Sequence, residues 1–160
     1  MTSPAKDTGP LYTPENYSLE DSVGRLVADI SRRLQAGVDE ELARMGMDLT
    51  AAQWVILVRI ASGCATTAAQ LCRLTRHNTG SMTRMLDRLE EKGLIRRIRS
   101  REDRRIVSLE LTEAGRELHP RLTPAAIRVL NAHLKGFTRE ELNQFKGFLN
   151  RMRSNGGVPE

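Results

Sequence analysis

At Gly93 the hydrophobic period of the chain changes, and that change limits the folds open to it. Upstream, Met82, Met85, Leu86 and Leu89 recur at spacings of three and four, the stripe of an amphipathic helix. Downstream, Ile95, Arg97, Arg99 and Arg101 alternate with Leu94, Arg96 and Ile98, and Val107, Leu109 and Leu111 alternate with Ser108 and Glu110. Two short strands closing a β-hairpin are therefore predicted directly after a helix. The tip around Glu102-Asp103-Arg104 lacks the Asn-Gly of a two-residue turn, so a longer loop is expected there.

The elements before Gly93 complete the pattern. Thr50 and Gln53 form a capping box at the start of a short helix, apolar almost all round from Trp54 to Ala61 and ending at Gly63. Thr66 and Thr67 begin another short helix reaching about Leu74. A turn at Arg76-His77-Asn78 leads into the helix from about Asn78 to Lys92. Helix, short helix, turn, helix and basic hairpin make a winged helix-turn-helix, whose second helix is shaped to enter a DNA major groove.

Charge agrees with that reading. Between Arg76 and Arg105 lie ten cations, nine of them arginine, against five anions, while the rest of the chain is balanced; the net charge of +5 thus sits in one block. Arginine offers a planar fork suited to phosphates and guanine edges. Small polar side chains near the start of the second helix would reach bases. An arginine-tipped hairpin would reach a neighbouring minor groove. A solvated charged face is the plainer alternative on charge alone.

Long helices flank this block. One is expected from Ser18, with Glu20 and Asp21 at its N-terminus, through Val23, Leu26, Val27, Ile30, Leu34, Val38, Leu42 and Met45 to Gly46. After Thr112-Glu113 another is expected, interrupted or bent by Pro120 and Pro124. Thr138 and Glu141 cap a last one carrying Leu142, Phe145, Leu149 and Met152 on one face. Its apolar face, that of the first helix and Phe137, Phe145 and Phe148 need more burial than one small lobe supplies.

Several classes fall away. No apolar run approaches the ~18–20 residues of a membrane span, and the polar N-terminus has no secretory signal, so a soluble cytoplasmic protein is expected. There is no glycine-rich phosphate loop, nucleophile elbow or clustered carboxylate pair, and an enzyme is not expected. His77, His119 and His133 are scattered, without paired metal-ligand spacing, and no cofactor is implied.

The hairpin and its exit, Arg101-Glu102-Asp103-Arg104-Arg105 followed by Leu111-Thr112-Glu113-Ala114-Gly115, resemble the D-x-R … L-T-x-x-G pattern of the MarR (multiple antibiotic resistance regulator) family. The run Thr83 to Leu94 resembles that family's recognition helix. The resemblance implies an α+β, mostly α fold: a winged helix-turn-helix lobe at 47–111, dimerisation helices at 18–46 and 112–153, and a flexible arm at 1–17. It implies a homodimer on a palindromic double-stranded DNA operator.

Thr79, Ser81, Met82 and Arg84 fall where such regulators contact bases, with His77, Asn78 and Arg88 beside them. Arg101, Asp103, Arg104 and Arg105 fall on the wing, where Asp103 would orient an arginine for the minor groove. For Arg88, pairing with Asp87 within the helix is the alternative. The resemblance further implies repression relieved by a small effector, often an aromatic or phenolic acid. Arg25, Trp54 and Arg59 are the candidates to hold it, with a purely structural role for each left open. Redox control through Cys64 or Cys72, or a winged-helix adaptor that binds protein, are the other readings.

Overall fold

The computed structural model describes residues 9–99 and 107–156. Six helices and one hairpin follow in the order α1 (Val23–Arg44), α2 (Ala51–Ala61), α3 (Ala68–Thr75), α4 (Thr79–Glu91), β1 (Ile95–Arg99), β2 (Val107–Leu111), α5 (Glu113–His133) and α6 (Arg139–Asn155). The strands pair antiparallel with Ile95 opposite Leu111 and Arg99 opposite Val107. Residues 100–106, where the longer hairpin loop is expected, lie outside the described residues.

Local chemistry sets most of the boundaries. Capping boxes open α2 (Thr50 with Gln53), α3 (Thr67 with Gln70) and α6 (Thr138 with Glu141). The Asp39 carboxylate on α1 accepts the Ala51 N–H at 2.6 Å, adding a negative group to the N-terminus of α2. Two boundaries differ from expectation. α1 begins at Val23, not Ser18, because Ser22 is the cap: its Oγ accepts the Arg25 N–H. Ahead of it Leu11–Tyr17 makes a turn tied by Asn16 to Thr13 and Leu11, and the Tyr12 hydroxyl accepts the Val23 N–H at 3.0 Å.

The second difference is α5, which runs without interruption through Pro120 and Pro124. Both prolines are exposed, so the carbonyls they leave without a helical partner can face water, while Leu122, Ala125 and Val129 on the other face are buried. α5 also lies close against α1, where a Cβ on Gly37 would come within 3.0 Å of Val129 Cγ1. The helix propensity lost at Gly37 is what permits that approach.

One core serves the whole chain. Val38 and Leu42 of α1, Ile56, Leu57 and Ile60 of α2, Leu71 of α3, Met82, Leu86 and Leu89 of α4, Leu109 and Leu111 of β2, and Leu122 of α5 are buried together. α6 contributes no buried residue. Beside the core, the Glu41 carboxylate takes bonds from Arg128 (2.8 Å) and Arg44 (2.5 Å), joining α1 to α5. No helix among the described residues is long and apolar enough to cross a membrane.

The tightest junction lies where hairpin meets α5. Leu94 N–H closes the end of α4 onto Leu89, and Gly93 takes φ +66° to allow it. The Leu94 carbonyl accepts the Thr112 N–H at 3.1 Å, and Thr112 Oγ1 donates to the Gly93 carbonyl while accepting the Gly115 N–H. Gly115 is pressed so closely on this backbone that an added Cβ would overlap the Leu94 carbonyl oxygen.

Gly115→Ala is expected to destabilise the chain by about 2–4 kcal/mol in urea unfolding, since backbone must move to admit the methyl group. A loss under about 0.5 kcal/mol would contradict the close approach. Glu41 gives a pH test. The Arg128 hydrogen bond, opposed by burial and helped by the Arg128 and Arg44 charges, holds its carboxyl below the ordinary 4.5. Its contribution is therefore complete above that value and is lost as pH falls through the lower folded value. Glu41→Gln should be less stable at neutral pH and lose less stability on acidification. Parallel acid profiles for the two proteins would contradict this.

Candidate DNA-binding surface and effector cavity

The burial of α4 sorts its residues into two faces. Met82, Leu86 and Leu89 are in the core, and Thr79, Gly80, Thr83, Arg84 and Arg88 are exposed, with Ser81 between. Met82 is thus corrected: at 0% exposure it anchors the helix and does not reach a base. A helix position cannot serve the apolar stripe and the groove at once. Thr83, which was not singled out from the sequence, stands on the open face one turn after Thr79, its hydroxyl bonded to the Thr79 carbonyl at 2.9 Å. The 3–4 spacing from Thr79 and Arg84 is the signal that would have found it.

Asn78 caps α4, its Oδ1 accepting the Ser81 N–H at 2.8 Å. The first-turn N–H groups of α4 thereby stay aimed along an exposed helix end, a geometry suited to a phosphate. Arg88 does not pair with Asp87. Asp87 is instead bound by Arg97 of β1 at 2.6 Å, which leaves the Arg88 guanidinium on the surface without a carboxylate partner among the described residues.

Arg97 fastens the wing to the helix. Its guanidinium bridges Asp87 and Glu90 (2.5 Å), and its backbone N–H donates to Glu90 Oε1 at 3.2 Å. Burial works against its charge, but the Asp87 hydrogen bond and the two carboxylate charges outweigh that and raise its pKa. Two acidic residues of the basic block are in this way spent internally, and Arg84, Arg88 and Arg99 remain outward. Arg96 pairs across the hairpin with Glu110 at 2.8 Å. The wing residues Arg101, Asp103, Arg104 and Arg105 lie outside the described residues.

A second feature sits on the opposite side of the lobe. A cavity of about 380 Å³ opens between α1, α2, the end of α3 and α5, with Leu34, Val38, Trp54, Arg59, His77 and Leu130 in its wall. Trp54 and Arg59 are brought together here, as expected for effector residues. Arg25 is not: it lies near the start of α1, 3.4 Å from Glu20. His77 is a further correction. It was expected at the DNA surface, but Arg76 adopts the left-handed conformation (φ +54°) and the following ring lines this cavity. Periodicity carries no information about a turn residue of that kind. Cys64 is exposed and Cys72 half-buried in α3.

Residues 49–107 match the MarR family. The multiple antibiotic resistance protein MarR of Escherichia coli is 33% identical over 93 residues, covering 58% of this chain and 63% of that protein, so the chain spans just under two thirds of it. An uncharacterised HTH-type transcriptional regulator of Bacillus subtilis, YybA, is 28% identical over 68% of this chain and 73% of its own. In structure, a cysteine-to-serine mutant of the E. coli protein complexed with operator DNA superposes with a TM-score of 0.73 at 26% identity, covering 85% of this chain and 99% of that one. BpsR of Bordetella bronchiseptica, whose DNA binding is regulated by 6-hydroxynicotinic acid, shares the fold at 24% identity, with a TM-score of 0.74 over 86% of this chain and 96% of its own.

Arg97→Met tests the wing attachment. Because its ion pairs are partly exposed, stability should fall by no more than about 1 kcal/mol. DNA affinity should fall about fivefold, the equivalent of about 1 kcal/mol, as the hairpin loses its fixed angle to α4. Unchanged affinity in an anisotropy titration would remove Arg97 from this role.

Proposed function

The chain belongs to the MarR family of DNA-binding transcriptional regulators, and from that premise we propose that it acts as a homodimeric cytoplasmic repressor on a palindromic operator. Release follows when a small aromatic or phenolic ligand binds. The observation that carries the DNA reading is the open face of α4: Arg84 and Arg88 stand exposed while the neighbouring acids are engaged by Arg97. In this reading Thr79, Ser81 and Arg84 address bases, and Asn78 and Arg88 address flanking phosphates. Arg101, Arg104 and Arg105, with Asp103 orienting them, extend the grip into the minor groove.

The dimer reading is supported by what one chain leaves uncovered. Val23, Leu26, Val27 and Ile30 on α1 and Phe145, Phe148 and Met152 on α6 are all exposed. Apolar stripes of this length on flanking helices are suited to interleaving with a second copy. Helices 18–46 and 112–153 then form the dimerisation region around two lobes at 47–111. Two-fold symmetry sets the recognition helices about 34–36 Å apart on one side of a duplex. The cavity beside Trp54 and Arg59 lies between that region and the lobe, so an occupant that fits only one lobe angle alters the spacing.

Arg84→Ala should cost about tenfold or more in affinity for the operator and much less for scrambled DNA, as expected for loss of a base contact worth ~1–3 kcal/mol. Competitive titrations with both duplexes measure this. Equal losses on the two would reduce Arg84 to a phosphate contact and contradict the base-reading role.

A further inference from the structure

Two buried side-chain nitrogens without a hydrogen-bond partner stand out among the described residues, Trp54 Nε1 and His77 Nδ1. Both residues line the same cavity. A buried polar nitrogen left unpaired is costly, and the large majority in folded proteins are satisfied. The lining adds one cation, Arg59, and no carboxylate, and no carboxylate pairs with Arg59 among the described residues. Apolar walls from Leu34, Val38 and Leu130 complete a slot for something flat and negatively charged.

The position of His77 in the chain gives this a consequence. The next residue, Asn78, caps the recognition helix through Ser81 N–H, and the preceding one, Arg76, is held at φ +54°, a region L-residues adopt at a cost. One side chain therefore touches the cavity while its own backbone sets the start of α4.

We propose that His77 couples the cavity to the recognition helix: a small planar carboxylate seated there takes hydrogen bonds from Trp54 Nε1–H and His77 Nδ1–H, and its hold on His77 re-sets the turn that caps α4. The proposal rests on the ligand-release reading above and adds the polar groups that recognise the ligand and the residue that transmits its presence. A ligand shifts a two-state protein only by binding one state better. His77 supplies that difference, because its ring meets the carboxylate in one turn geometry and the DNA needs α4 capped in the other. His77 is a positioning residue in this scheme and touches no base.

Trp54 is the sole tryptophan, so its emission reports cavity occupancy directly. The full-length dimer is titrated with benzoate, 2-hydroxybenzoate and 4-hydroxybenzoate, with benzyl alcohol as the uncharged control, and DNA affinity is read at saturation by anisotropy on a duplex from upstream of its own gene. In the wild type at least one acid should change Trp54 emission and weaken DNA binding about tenfold, within the usual range of such coupling. The alcohol should do neither. His77→Phe keeps the ring and removes the nitrogen. It should bind DNA about as well as wild type without ligand and still bind the acid, but its DNA affinity should change less than about twofold on saturation. His77→Asn, which restores a polar group close to the ring Nδ1, should recover most of the coupling. Full coupling in His77→Phe overturns the relay and leaves the ligand-release reading standing. If no acid alters Trp54 emission or DNA binding in the wild type, the carboxylate site fails, and the relay with it.

Discussion

The end of the recognition helix, the base of the wing and the start of α5 meet within a few backbone atoms, at Gly93, Leu94, Thr112 and Gly115. The Leu94 carbonyl is approached from one side by the Thr112 N–H and from another by the bare Cα of Gly115. The Thr112 hydroxyl spans from the Gly93 carbonyl to the Gly115 amide. Every other relation in the lobe is built outward from this point. It fixes where α4 stops, the plane in which the hairpin leaves, and the direction in which α5 departs toward the core of α1 and α2. The Leu-Thr-x-x-Gly sequence is thus a geometric requirement. Leucine closes the core, threonine caps and ties, and glycine permits contact with a carbonyl that a side chain would block.

From that junction two features follow. The hairpin is held against α4 by Arg97, whose bridge to Asp87 and Glu90 uses up acidity that would otherwise repel a phosphate backbone. α5 carries the lobe's orientation to α1, which it meets at Gly37 and through the Glu41–Arg128 bond. The cavity lies in the wedge between these helices and α2, so its contents and the angle of the lobe are mechanically one variable.

Much of this could be read in the sequence because it depends on local rules. The capping boxes at Thr50, Thr67 and Thr138 and the change of period at Gly93 identify the elements without tertiary information. The expectations that failed are those decided by packing. Ser18 and Ser22 are both plausible caps, and Tyr12 reaching back to Val23 belongs to the second. Pro120 and Pro124 look like breaks until their exposed, solvated side of α5 is seen. Met82 matches a base-contacting position by resemblance and a core position by periodicity, and the core wins. His77 points where a left-handed Arg76 sends it, which no period can signal. Asp87 turns to Arg97 rather than Arg88, a pairing set by the hairpin's return across α4.

The central claim is that two copies of this lobe are held at a fixed separation matched to one side of a duplex. Hydroxyl-radical footprinting of the protein on DNA from upstream of its own gene tests it most directly. Protection should appear as two sets related by a two-fold axis, centred about 10–10.5 base pairs apart or a multiple of that spacing. A single unpaired patch of protection, or uniform shielding with no preferred position, would contradict it.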